Sequence, residues 1–209
     1  LVGHSVLRLW VMGQAATERT ATVTETAEMQ SLLRQCLDAG AIGLSTSFVD
    51  MDEKLQPVPS RYADHAELDA LCAVLAEYNR ILQVVHEFYD IDLTIGRIDQ
   101  LAELSLTHKI TTTLSPLFIN RGDFEGVDRV IARIVEQNAA GARVWPQVQT
   151  RPIDISFCFA VPSLLFIRLR GWYRVMRFGT PATIMAAFQD ETQRQQLVQE
   201  ATSMMPLWS

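Results

Sequence analysis

Several groups of polar side chains stand where short apolar runs give out, and any chemistry in this chain has to come from them. Ser45 and Thr46 follow Ala41-Ile42-Gly43-Leu44, and His86 and Glu87 follow Leu82-Gln83-Val84-Val85. Thr113 and Ser115 close a threonine-rich run, and Gln147, Gln149 and Arg151 end another. An imidazole at a strand end is placed to bind a metal or shuttle a proton. Its plainer role is to be satisfied by a neighbouring carboxylate or backbone group. Arg61 follows Pro57-Val58-Pro59-Ser60. A guanidinium beside a rigid proline loop either grips a carboxylate through two parallel hydrogen bonds or forms a surface salt bridge. His4 is placed to fix a loop by hydrogen bonds. His65 and His108 read as solvated, at a helix start and ahead of a strand. Glu87 and Asp90 can join His86, but oxygen ligands with one imidazole hold zinc weakly. The sequence contains no His-x-His, no His-Glu-x-x-His, no Gly-x-Ser-x-Gly and no Walker pattern.

The elements that carry these residues are legible from periodicity. Thr22 or Thr24 caps a helix whose apolar positions Met29, Leu32, Leu33, Cys36 and Leu37 follow a 3.6-residue period. Gly40 supplies its left-handed stop, and Ala41 to Leu44 reads as a short buried strand. A helix from about Ala63 to Tyr78 leads to a strand at Ile81 to Val85. A third helix, about Leu93 to Thr107, buries Ile98, Leu101 and Leu104 and leads to Ile110 to Leu114. A fourth starts at Asp123, places Val127, Val130, Ile131, Ile134 and Val135 inside, and stops at Gly141 before a strand at Val144 to Val148. Leu1 to Met12 reads as a further strand or its exit loop. Helix and strand alternating at this spacing predict βα units on a parallel sheet, with all the polar strand ends at one edge. After Pro152 the rhythm fails. Ile153 to Thr180 is apolar and irregular, and Thr183 to Met205 reads as one or two helices. The expected fold is α/β, a partial (β/α)₈ barrel over residues 1–152, with an irregular, mainly helical segment over 153–209.

Composition narrows the function classes. With 209 residues, 48% of them hydrophobic and 20% charged, the chain has the material for a packed core. A net charge of −6 without clustered Lys and Arg excludes a nucleic-acid footprint. The most apolar stretch, Ile155 to Ile167, is too short to span a bilayer and contains Pro162. Cys36, Cys72 and Cys158 are widely spaced and read as buried thiols in a reducing compartment, so a cytoplasmic location is expected. The chain opens on Leu1 in strand-like sequence and ends without a tail signal, which reads as a fragment of a longer protein.

Jointly, a set of segments resembles one known family. Val2-Gly3-His4-Ser5-Val6-Leu7-Arg8, Val11-Met12-Gly13, Arg19 to Met29 and Ala39 to Thr46 look like the D-aminoacylase branch of the amidohydrolases, the N-acyl-D-amino-acid deacylases. Pro57-Val58-Pro59-Ser60-Arg61 and Arg151-Pro152 look like a subgroup of it. The resemblance extends to about Gln149. It implies a metal-dependent hydrolase barrel that cleaves a non-peptide C–N bond of a small amide with zinc-activated water. It puts His86 at the position of a strand-borne metal histidine; from their own settings, Arg61 is then expected at the substrate carboxylate and Ser45 and Thr46 at the mouth. The family's His-x-His and its last-strand aspartate are not in this sequence, and no second histidine stands near Thr113 or Leu114. The resemblance therefore implies that these groups lie outside Leu1 to Ser209 in a full-length relative, and that this chain alone is inactive. A barrel-derived binding protein without the metal, or an inactive truncated product, are the alternatives.

Overall fold

The computed structural model describes residues 1–87, 90–117, 124–150, 156, 158, 163, 166 and 169–203. The chain divides into two compact units. One comprises Leu1–Asp50, Pro57–Ile119 and Asp123–Thr150, the other Met51–Gln56, Asn120–Gly122 and Arg151–Ser209.

The first unit carries a parallel sheet of five strands in chain order: β1 (Val2–Gly3), β2 (Gly43–Ser47), β3 (Ile81–Val85), β4 (Thr112–Ser115) and β5 (Val144–Pro146). Between them run α1 (His4–Met12), α2 (Val23–Asp38), α3 (His65–Glu77), α4 (Ile91–His108) and α5 (Phe124–Ala139). Sequential parallel strands joined by right-handed crossovers put their helices on one side. The core agrees, because Leu44, Leu82, Val84, Leu114 and Val144 of the strands cluster with Leu33, Leu71, Leu75, Ile98, Leu101 and Val130 of the helices. This is the α/β architecture of a partial (β/α)₈ barrel.

Local chemistry explains the boundaries. Thr22 caps α2 and forms a reciprocal capping box with Glu25. Asp64 caps α3 and Asp90 caps α4, each carboxylate accepting a backbone N–H three residues on. Gly40 takes a φ of +100° after α2. At Gly43 a Cβ would lie 2.2 Å from the Ile81 carbonyl oxygen, so only glycine lets β2 approach β3 this closely.

Several expected elements differ. Residues 4–12 are helical rather than extended, because the stripe they bury is His4, Leu7, Arg8 and Met12, a helical spacing disguised by two polar members. The second strand runs Gly43–Ser47 instead of Ala41 to Leu44, which puts Ser45 and Thr46 inside it. The fourth begins at Thr112 rather than Ile110, and the fifth ends at Pro146. Ile131 and Val135 are exposed, since the stripe Val127, Val130 and Ile134 already fills the α5 contact. Of the cysteines only Cys72 is buried; Cys36 is half-buried and Cys158 exposed. Burial pushes the Cys72 thiol up to about 12. Arg151, Pro152 and Asp123 lie outside the described residues.

Among the described residues the second unit contributes α6 (Arg170–Phe178), α7 (Pro181–Gln189) and α8 (Glu191–Ser203). The Glu200 carboxylate accepts from the Gly171 N–H at the start of α6, and the Trp172 indole donates to the Leu197 carbonyl, 2.8 Å away. Thr180 and Thr183 form a capping box around Pro181. Among the described residues no helix is long and apolar enough to cross a membrane.

Candidate functional site

All five strands run the same way, so their carboxyl ends share one edge, where parallel α/β folds place their sites. The pleat then sorts the residues there. Successive side chains in a strand point to opposite faces. Thr46 pairs in register with Val84 and shares the helix-facing side with Leu44. Ser45 pairs with Gln83, which pairs with Thr113, and this row takes the other face. Ser45 and Thr46 therefore face away from each other, and the Ser45 hydroxyl donates back to the Val2 carbonyl at 3.3 Å.

The helix-facing side holds a buried polar network. His4 Nδ1 lies 2.9 Å from the Thr46 hydroxyl, and His4 Nε2 lies 2.7 Å from Glu67 Oε1 on α3. Arg8 donates to the other Glu67 oxygen and to the carbonyls of Ala16 and Arg19. All four side chains are buried, Arg8 completely. Burial pushes the Glu67 carboxyl upward, but the hydrogen bonds from His4 and Arg8 more than offset this and bring it below its ordinary value. An ionised Glu67 only accepts, so His4 Nε2 donates to it, and Nδ1 is left to share a hydrogen bond with the Thr46 hydroxyl. Sequence reasoning saw His4 as a loop fastener and missed Glu67 and Arg8. The readable signal was two polar residues four apart, His4 and Arg8, on one stripe of an otherwise apolar segment.

A cleft of about 410 Å³ opens beside this network. Its lining includes His4, Thr46, Phe48, Arg61, Asp64 and His65. Arg61 sits in a 3-10 turn, Pro59–Tyr62, pinned to the sheet by the Ser60 hydroxyl donating to the Ser47 carbonyl at 3.0 Å. Its Nη1 donates to the Val49 carbonyl at 3.2 Å. Glu87 and Arg97, also in the lining, form a two-pronged ion pair with distances of 2.8 and 2.9 Å. The Arg97 guanidinium lies over the Phe48 ring, 3.9 Å from its centroid. His65 is exposed at the cleft rim, as expected. His108 is not solvated: it is mostly buried and pairs with Asp69 at 2.7 Å.

His86 is buried at the end of β3 and does not line this cleft. Burial pulls its imidazole below the ordinary range, against the opposing pull of a hydrogen bond with the Ser115 main chain and of the Glu87 charge. Its expected helpers are committed elsewhere, Glu87 to Arg97 and Asp90 to the α4 cap. Among the described residues no group of three or more His, Cys, Asp or Glu side chains is placed to hold a metal ion. The described donors do not amount to a zinc site. On the opposite face of the sheet, Gln147 donates to the Thr113 hydroxyl at 2.9 Å.

No family model matches this chain. Uncharacterised proteins of Mycobacterium tuberculosis and Mycobacterium bovis are 37% identical over 92 residues, which is 40% of this chain and 15% of theirs. Among solved structures, a D-aminoacylase superposes with a TM-score of 0.58 at 22% identity, covering 72% of this chain and 29% of that enzyme. The N-acyl-D-glutamate deacylase of Bordetella bronchiseptica, solved with zinc and a phosphonate inhibitor, superposes with a TM-score of 0.59 at 25% identity. It is covered over 30% of its length by 73% of this chain. The fold is thus of the amidohydrolase-barrel type, and the chain spans under a third of the length of these structural neighbours.

Proposed function

We propose that this chain is the central section of a hydrolase acting on a non-peptide C–N bond, of the N-acyl-D-amino-acid deacylase kind. The observation that carries the proposal is the likeness of its five-stranded parallel sheet to part of two deacylase barrels, at TM-scores of 0.58 and 0.59. The substrate is a small amide. Arg61 and Thr46 contact it from the cleft, and Ser45 lies on the barrel side of the same edge. Zinc is the metal, with His86 as one ligand and the rest supplied by groups outside Leu1 to Ser209 in the longer protein. The 209-residue chain alone does not turn over. The test is release of free amino acid from N-acetyl-D-amino acids with zinc present, run on this chain and on a longer protein carrying this section. Turnover by the longer protein that falls at least tenfold in His86→Ala supports the reading. Turnover by the short chain, or an unaffected His86→Ala, contradicts the corresponding part of it.

One observation favours a second reading, a barrel-derived binding protein. Glu87 and Asp90 are tied into Arg97 and a helix cap, while the Arg61 cleft needs no metal to form. Ligand binding by the longer protein without turnover at any zinc concentration would select it.

A further inference from the structure

Three elements distant in sequence bring a hydroxyl, an imidazole and a carboxylate into one chain of hydrogen bonds. Thr46 comes from the carboxyl end of β2, His4 from the start of α1 and Glu67 from the first turn of α3. His4 Nδ1 is 2.9 Å from Thr46 Oγ1, and His4 Nε2 is 2.7 Å from Glu67 Oε1. One ring thus meets a hydroxyl through one nitrogen and a carboxylate through the other. That is the order of groups in which a hydroxyl becomes a nucleophile.

The roles follow from the chemistry of each group. The lowered Glu67 carboxyl is ionised at neutral pH and accepts at both oxygens. With Nε2 donating to it, the neutral form of the His4 ring has its lone pair at Nδ1, on the Thr46 side. Proton uptake there makes an imidazolium whose charge lies against Glu67 Oε1. Arg8 occupies the other carboxylate oxygen, which leaves Oε1 to His4. The groups are also held in place. Thr46 pairs in register with Val84, the Glu67 N–H is tied to the Asp64 carboxylate at 2.9 Å, and Arg8 is anchored to two main-chain carbonyls. Thr46 and His4 both line the cleft of about 410 Å³, and Glu67 does not. A small molecule in the cleft therefore meets the hydroxyl and the ring.

We propose that Thr46 is a nucleophile activated by His4, with Glu67 as the positioning residue, and that this cleft hydrolyses a small activated ester without a metal. The Thr46 oxygen bonds to the ester carbonyl carbon and its proton passes to His4 Nδ1. The acyl–oxygen bond breaks, and its electron pair leaves on a phenolate. Once Nδ1 has released that proton to solvent, water attacks the acyl-threonine. Nδ1 takes a proton from the water and returns it to the Thr46 oxygen, and a carboxylic acid is released. An activated ester suits the site because its phenolate departs without being protonated. The proposal concerns esters rather than amides and invokes neither zinc nor His86, so it is independent of the amide-hydrolase reading.

The test is hydrolysis of p-nitrophenyl acetate by the 209-residue chain in excess chelator, with the acetylated chain mapped by mass spectrometry. Phenolate release above the buffer rate and an acetyl group on Thr46 are expected. Thr46→Ala and His4→Gln should each lower the rate roughly tenfold or more, and Thr46→Ser should retain it. Glu67→Gln should lower kcat and leave KM, because the substrate meets Thr46 and His4 but not Glu67. No release above buffer, a rate indifferent to Thr46→Ala, or an acetyl group carried only by other residues, such as the exposed His65 or Lys54, would overturn the proposal. The mapping is made on the unaltered chain, so it stands even if a variant misfolds. Ester turnover through Thr46 with no amide hydrolysis by any longer protein would sink the hydrolase reading and leave this site intact. Amide turnover by the longer protein with no acetyl group on Thr46 would do the reverse.

Discussion

Across the parallel sheet, Leu44, Leu82, Thr112 and Val144 align in register on the helix-facing side, and none of them has any exposure. One residue further along each strand, Ser45, Gln83, Thr113 and Trp145 form the row on the other face, and Trp145 is 58% exposed. In closed barrels the inward rows are mostly branched apolar side chains packed in layers. Here that row is polar and partly open, whereas the helix-facing side is finished. The helix-facing side therefore carries the stability of this unit, and it also carries the buried Glu67 network and the Arg61 cleft. The opposite row is the cheaper place for substitution.

The contrast can be broken at its strongest point, the buried carboxylate. Glu67→Ala leaves Arg8, which has no exposure, without its counter-charge, and should cost about 3–5 kcal/mol in urea unfolding. Because the folded state holds the Glu67 carboxyl below its ordinary value, its contribution is fully present above the unfolded value and is lost as pH falls through the folded one. The native chain should therefore lose stability in acid more steeply than Glu67→Gln. Next comes a pair of neighbours: Leu82→Ala should cost about 2–5 kcal/mol by opening a cavity. Gln83→Ala, one residue along on the other face, should fall near ±0.5 kcal/mol. Equal losses at the two positions would erase the distinction between the faces.

Smaller effects sharpen the same picture. Gly43→Ala drives a methyl against the Ile81 carbonyl and should destabilise the β2–β3 pairing by about 1–3 kcal/mol. At His86 burial favours the neutral ring, so its contribution is full above the ordinary imidazole value and declines as pH falls through the lowered one. Thermal melts of His86→Gln should show a shallower stability loss between neutral and mildly acidic pH than the native chain. Smallest of all, the exposed Arg34–Glu77 pair should contribute no more than about 0.5 kcal/mol, screened by salt.

How much of this was legible in the sequence depended on who occupied the buried stripe. The strand at Ile81 to Val85, the cap at Thr22 and the stripe Ile98, Leu101 and Leu104 follow apolar periodicity and appear as expected. The helix at residues 4–12 was hidden because its inner stripe includes His4 and Arg8 while Val6, Leu9 and Trp10 face outward. Their burial makes sense only with Glu67, some sixty residues away, a pairing no local pattern reveals. Arg61 was legible as a binding candidate from its proline-rich setting. That it lines the same cleft as Glu87 and Arg97 depended on tertiary packing. The separation of Ser45 from Thr46 follows from the period of a strand, but only once the strand is known to extend to Ser47.

The most direct test is metal retention. In the described residues the carboxyl edge holds a satisfied polar network and a cleft of about 410 Å³, and no assembled metal centre. The 209-residue chain, equilibrated with excess zinc and then dialysed, should keep well below one zinc per chain, with no difference between the native protein and His86→Ala. One zinc per chain retained through dialysis and lost in His86→Ala would contradict the account.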